Sequence, residues 1–189
     1  MRKLLMMASV VVGLAAMSLI PPKVQAQFET PIVASEAATM VVLVPLVAKW
    51  EGKRSAAYFD VVGVPTICFG HTRTVTAADV RAGLSKTDAE CSALLRSELR
   101  EYRDGVRGYF NADALRSWLP PNRDAAFAST AYNVGISGIG KSTATRRLNA
   151  GNLVGACEAL TWWNRAGGRV LRGLVNRRAD EFALCMVGL

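Results

Sequence analysis

Hydrophobic residues are distributed along this chain in two distinct ways. From Leu4 to Ile20 they form a nearly unbroken run of seventeen uncharged residues, whereas after Thr39 they fall into short periodic groups. Thr39 to Trp50 predicts a helix ending near Glu51-Gly52, and residues 27–38 read as a linker before it. Pro45 is awkward inside that helix, because a proline lacks the N–H and crowds the preceding turn; the helix starts there or kinks. Between Ser55 and Thr74, Tyr58, Val61, Val62, Val64, Ile67 and Phe69 stand among glycines, a pattern of short strands and turns. Thr76-Ala77-Ala78-Asp79 and Ser85-Lys86-Thr87-Asp88 carry N-cap chemistry, so a helix is expected after each. From Asp88, Cys91, Leu94, Leu95, Leu99, Tyr102 and Val106 recur at three-to-four spacing, the mark of a long amphipathic helix reaching Gly105 or beyond.

The second half is helical in outline. Pro120-Pro121-Asn122 opens an alanine-rich helix through Tyr132, and a glycine loop, 135–140, follows it. Ser142-Thr143 caps a helix to Asn149, Gly151-Asn152 breaks it, another helix carries Cys157, Leu160 and Trp163, and a last one runs through Asp180 to Cys185. Trp118, Trp162 and Trp163 are expected in the core. The sum is an α+β fold: a small β-hairpin lobe and a larger, mainly helical lobe, in one domain spanning residues 39–189. At 189 residues and 51% apolar composition the chain can bury a substantial core.

The N-terminal run changes the picture of location. Arg2-Lys3 precedes it, Pro21-Pro22 follows, and Val24-Gln25-Ala26 places small residues where a signal peptidase cuts, so residues 1–26 read as an export signal cleaved after Ala26. The competing reading is an anchor left in the inner membrane. Seventeen residues span roughly 25 Å as a helix, the short limit for crossing a bilayer, and Ala8, Ser9, Gly13, Ala15, Ala16 and Ser18 make the run only weakly lipophilic. The net charge is +8, and without residues 1–26 it falls to 20 basic against 15 acidic residues, or +5. Such a balance suits nucleic acid, an anionic membrane or an acidic polymer. With no Lys/Arg block interleaved with aromatics, nucleic acid is not an expected partner.

Four cysteines, Cys68, Cys91, Cys157 and Cys185, all follow the export segment, and an even number in an exported chain points to disulfides. Three connectivities are open; sequence distance favours Cys68–Cys91 and Cys157–Cys185. There is no Cys-x2-Cys pair and His71 is the sole histidine, so no zinc or other metal site is expected. The glycine loop lacks the Lys-Ser/Thr of a phosphate-binding loop and is weak evidence for one.

The chemistry concentrates in one segment. Glu51 is followed nine residues later by Asp60 and six after that by Thr66, then by Ile67-Cys68-Phe69-Gly70-His71-Thr72. A helix end facing a hairpin can hold one carboxyl on each side of a cleft, and glycosidic cleavage uses two carboxyls flanking one bond. To donate, Glu51 must hold a proton near neutral pH, which calls for partial burial among apolar neighbours such as Trp50 and Tyr58.

Trp50-Glu51-Gly52 through Gly70-His71-Thr72 resembles the catalytic signature of the phage-type lysozymes, the muramidase family of phage endolysins, and the resemblance extends from about Ala48 to Cys185. It implies a lysozyme-like fold and an endolysin hydrolysing the β-1,4 bond between N-acetylmuramic acid and N-acetylglucosamine, with peptidoglycan strands as partner, no cofactor and a monomeric enzyme. It makes Glu51 the general acid, Asp60 the second carboxylate and Thr66 the residue that orients water. It also sets His71 against Glu98 as structural support, and Tyr132, Asn133 and Gly135 on the far wall of the cleft, touching glycan. Cys68 departs from the commonest pattern, which has glycine there in cytoplasmic members. Exported members with cysteines at similar places favour the same disulfide pairing, and the signal-anchor members imply transient contact of residues 4–20 with the inner membrane before action in the periplasm of a Gram-negative host. Two other readings compete: a lytic transglycosylase, which needs a single glutamate and leaves an anhydro-muramic end, and a non-enzymatic cationic membrane- or wall-binding protein, which needs no Glu51.

Overall fold

The computed structural model describes residues 34–189; the export segment and the first part of the linker lie outside them. The first helix, α1 (Glu36–Glu51), starts behind Ser35, whose hydroxyl accepts from the Ala38 amide. It therefore begins before Thr39, and residues 36–38 form its first turn rather than a linker. Pro45 sits inside α1, neither starting it nor ending it. The carbonyl that Pro45 leaves unpaired belongs to Val41, which is 73% exposed, so water can take the missing donor's place.

Gly52, at φ +67°, ends α1 and turns the chain into an antiparallel hairpin of β1 (Arg54–Phe59) and β2 (Pro65–Cys68). Tyr58 pairs with Thr66 and Phe59 with Pro65, and a register shift separates them from the Arg54–Cys68 pair. Two capping boxes follow: Thr76 with Asp79 and Thr87 with Glu90 each cap reciprocally, opening the short α2 (Ala77–Arg81) and the long α3 (Asp88–Arg107). The remainder is helical. A π-helical turn (Ala114–Trp118) precedes α4 (Pro121–Val134), and α5 (Ile136–Gly140), α6 (Thr143–Asn149) and α7 (Leu153–Leu160) come after it. A second, two-residue-per-strand hairpin, β3 (Arg165–Ala166) and β4 (Arg169–Val170), leads into α8 (Arg172–Cys185). The π turn and the second hairpin were not expected from the sequence, being too short to show a period. The glycine segment 135–140 is mostly the helix α5, and Trp163 lies beyond the end of α7 rather than on it.

Helix α4 is the centre of the larger lobe. Every residue from Arg123 to Ala131 is buried, and α1, α3 and α8 pack around it. Its alanines allow that close approach, as a helix enclosed on all sides requires. Its few polar side chains must then be satisfied internally. Asp124, fully buried, accepts from Thr39 Oγ1 of α1 at 2.7 Å and from Arg103 Nε of α3 at 2.6 Å, with Arg107 3.2 Å away. Arg103 also donates to the carbonyl of Ala34. One carboxylate thus fastens three helices.

Both disulfides join neighbouring elements. Cys68–Cys91 ties β2 to α3, and Cys157–Cys185 ties α7 to α8. Loops of 23 and 28 residues are each expected to contribute about 3–4 kcal/mol by restricting the unfolded chain. Cys68 is the sole non-glycine residue at positive φ (+60°) among those described. Glycine is the residue that ordinarily takes this left-handed conformation; here it is taken by a disulfide-bonded cysteine.

Asp124→Ala should be far more damaging than a single lost hydrogen bond, because the buried Arg103 would lose its buried countercharge, keeping only the exposed Asp104, and the partly buried Arg107 would lose its partner as well. The expected loss is about 3–5 kcal/mol, read as a lowered urea midpoint with unchanged far-ultraviolet dichroism under native conditions. A midpoint shift of only a few tenths of a molar would show that the cluster is dispensable.

Candidate active site

Glu51 is the last residue of α1 and lines a cleft of about 370 Å³ together with Phe69, Gly70, Thr72, Arg73, Glu98, Tyr102 and Tyr132. The walls come from the end of α1, the chain just after β2, α3 and α4. Gly70, at φ +89°, makes the sharp reversal that lets Ile67 and His71 exchange both backbone hydrogen bonds at 2.9 Å. This turn carries Phe69 to Thr72 into the cleft.

The charge around Glu51 differs from the apolar surroundings expected for it. Trp50 turns its indole N–H to Asp180, and the nearest group to Glu51 is a guanidinium: Arg177 of α8 donates to Glu51 Oε1 at 2.6 Å. Arg177 is itself almost fully buried and pairs through Nε with Glu181 Oε1 at 3.3 Å. Glu181 has no exposed surface. It accepts from Ser129 Oγ at 2.6 Å and Thr130 Oγ1 at 2.9 Å, and it pairs with Arg178 at 2.7 Å. Burial holds the Arg178 guanidinium below its usual range, with Glu181 opposing that shift. Sequence reasoning missed this network, although Glu181, three residues after Arg178 and four after Arg177, is a legible sign of pairing on one helix face.

Across the cleft Glu98 is shared. Its Oε1 meets His71 Nδ1 at 2.9 Å and its Oε2 accepts from the Tyr132 hydroxyl at 3.3 Å, while His71 Nε2 contacts Thr74 Oγ1 at 2.7 Å. Tyr132 also reaches the Phe69 carbonyl, and Tyr102 packs edge-on against its ring at 5.0 Å. Burial, then the carboxylates of Glu98 and Glu51, push the Tyr132 phenol above its ordinary range, so it remains a neutral donor throughout the physiological range.

Asp60 and Thr66 stand on the hairpin and are not part of that cleft lining. Asp60 closes the β1–β2 turn: its Oδ1 accepts from the amides of Val62 at 2.9 Å and Val64 at 2.8 Å, and Gly63 supplies φ +83°. Thr66 is buried at 3% exposure, and its hydroxyl donates to the Val64 carbonyl at 2.9 Å. Of the three residues expected on the far wall, Tyr132 lines the cleft. Asn133 instead accepts from Arg178 at 3.1 Å, and Gly135, at φ +91°, ends α4. Among the described residues no group of three or more His, Cys, Asp or Glu could hold a metal ion, and no helix is long and apolar enough to cross a membrane.

Known proteins share this arrangement of helix end, hairpin and helical lobe. A SAR-endolysin from Bacteriophage PS119 is 38% identical over 138 residues, 73% of this chain and 77% of the relative. A mutant of P22 lysozyme superposes with a TM-score of 0.65 at 30% identity, covering 80% of this chain and 97% of that one. The muramidase domain of SpmX from Asticaccaulis excentricus gives the same TM-score at 29% identity, with 80% and 96% covered. The family model described as phage lysozyme matches residues 48–181, from just before Glu51 to the buried Glu181 that anchors its arginine, and the chain belongs to that family.

Proposed function

We propose that Glu51 is the general acid of this endolysin, Asp60 its second carboxylate and Thr66 the group that orients the attacking water. The enzyme is a muramidase that lyses peptidoglycan by hydrolysing the β-1,4 bond between N-acetylmuramic acid and N-acetylglucosamine. The observation that carries the residue assignment is the placement of Glu51: a carboxyl at a helix end, in a cleft, with one oxygen fixed. Arg177 holds Oε1, which leaves Oε2 as the oxygen that carries the proton to the glycosidic oxygen. Among the described residues the turn amides engage only Oδ1 of Asp60, so Oδ2 is available to stabilise positive charge on the sugar or to assist water. Thr66 donates its hydroxyl proton to Val64 and keeps its lone pairs for a water's O–H. Water between two carboxyls on opposite sides of the ring is the inverting geometry. Tyr132, with its hydroxyl held neutral, and Tyr102 beside it suit the glycan's polar edges.

The same reading covers location. The curated relatives are named SAR-endolysins, residues 1–26 have the composition of an export segment, and two structural disulfides persist in an oxidising compartment. We therefore infer that the chain is exported, contacts the inner membrane through residues 4–20 and acts as a monomer on the periplasmic wall.

Glu51→Gln keeps size and the Arg177 contact but delivers no proton. Clearing of permeabilised Gram-negative cells should fall by about 10²–10⁴-fold or more with the thermal midpoint nearly unchanged; near-wild-type clearing by the folded variant would remove Glu51 from the acid role. Arg177→Lys retains charge yet cannot bridge Glu51 and Glu181 at once. It should depress kcat by about tenfold or more while leaving KM within about twofold, the signature of an interaction made in the transition state; a change confined to KM would make Arg177 a substrate-binding group instead. For export, a periplasm-dependent reporter fused after residue 30 should be active, and deletion of residues 2–26 should abolish lysis from within unless a holin is supplied. Full lysis by that deletion alone would overturn the export reading.

A further inference from the structure

The tip of the first hairpin is apolar and faces water. Val61 is wholly exposed, Val62 is 77% exposed, and Phe59 and Val64 are partly exposed beside them. None of the four belongs to the apolar cluster of the smaller lobe, which is built on Ile67, Cys68, Val75 and Cys91. Apolar surface left in water is unfavourable in proportion to its area, and exposed side chains gathered into one patch mark a place where something docks.

The backbone of this tip is closed on itself. Val62 and Val64 donate their amides to Asp60 Oδ1 at 2.9 and 2.8 Å, Gly63 donates to the Asp60 carbonyl at 3.0 Å, and Asp60 donates to the Val64 carbonyl at 3.0 Å. The Thr66 hydroxyl donates to that same carbonyl at 2.9 Å. A backbone group taken out of water without a partner costs as much as a lost hydrogen bond. A turn whose amides are already paired can therefore enter a medium that offers no hydrogen bonds.

A cation and an aromatic ring stand behind the tip. Tyr58 is three residues before Val61, at most about 10 Å along the chain, and the Arg54 guanidinium lies 3.8 Å from the centre of its ring. Lys53 pairs with Asp88, whereas no carboxylate among the described residues pairs with Arg54. Apolar side chains in front, with a ring and a free guanidinium about 10 Å behind, match the boundary of a bilayer: acyl chains first, then phosphates. A second copy of the chain fits less well, since a stable interface takes roughly 20–30 residues from each partner and the tip has four apolar ones. Glycan hydroxyls would find no free amide among the three that the turn has paired.

We propose that the β1–β2 tip is a docking site for a bilayer of anionic phospholipid, with Val61 and Val62 among the upper acyl carbons and Arg54 at the phosphates. It gives the enzyme a hold on the membrane that does not depend on residues 4–20. The export reading is what brings the hairpin to such a surface, and the proposal rests on it in that respect.

Residues 4–20 would carry the whole chain to vesicles in a pelleting assay, so the test reads the tip locally. An environment-sensitive dye is placed on the full chain at Val62→Cys, or at Val154→Cys on α7 as a control; the four native cysteines are paired. Thermal melts confirm that each variant is folded. With phosphatidylglycerol vesicles, emission from residue 62 should shift to the blue, and a nitroxide near the headgroup should quench it, as a probe about 5–10 Å deep requires. Emission from residue 154 should hold steady. Adding Val61→Asp should lower the ratio of seated to free tip about tenfold, the loss expected for one valine kept out of the bilayer. Arg54→Gln should lower it about fivefold. No response at residue 62 overturns the proposal, as does an equal response at residue 154 or one that Val61→Asp leaves unchanged. A response to purified sacculi in place of vesicles would mean a glycan contact, and one that grows with protein concentration without lipid would mean a second copy; either overturns it too. A failed export assay would leave this result with vesicles intact, so the two readings fail separately.

Discussion

Arg177 is placed between two carboxylates of opposite character. Glu181 is wholly buried and faces Arg177, Arg178, Ser129 and Thr130; Glu51 opens to the cleft. A buried carboxylate without partners costs several kcal/mol, so Glu181 compels two arginines and two hydroxyls to converge. That convergence locks α8 onto α4. Once Arg177 is fixed there, its Nη1 fixes the end of α1, and with it Glu51. The position of Glu51 is therefore set by the core of the larger lobe and not by the hairpin that follows it in sequence.

The smaller lobe is held by other means. Its two strands are short, and an isolated hairpin of that length is marginal in water. The Cys68–Cys91 bond ties it to α3, and Ile67 and Cys68 pack with Val75 and Cys91 in a small apolar cluster. His71 and Glu98 add a polar link between the turn and the same helix. Arg73 extends that link outward, to Glu98 at 3.6 Å and to Glu101 at 2.6 Å. Helix α3 thus serves both lobes: Glu98 faces the cleft, Arg103 grips Asp124, and Cys91 anchors the strand.

Local chemistry decided what the sequence made legible. The capping threonines, the period of α3, the proline that opens α4 and the apolar residues among glycines of the hairpin all act over a few residues, and each element appeared where those few residues predicted it. Glu51, Asp60 and Thr66 stand on the helix end and hairpin that their neighbours in sequence predict, although of the three only Glu51 lines the cleft. The disulfide partners were favoured for the same reason, being close in the chain. Other features depended on groups brought together from afar. Arg177 meets Glu51 across 126 positions and Thr39 meets Asp124 across 85, and no period or local propensity encodes such pairs. Pro45 stays inside α1 because the turn it disrupts faces water, and Trp162, expected in the core, is exposed while Trp163 beside it packs against the core. In each case the residue's own chemistry fixed what it needed, and the packing of helices distant in sequence fixed whether that need was met by protein or by solvent.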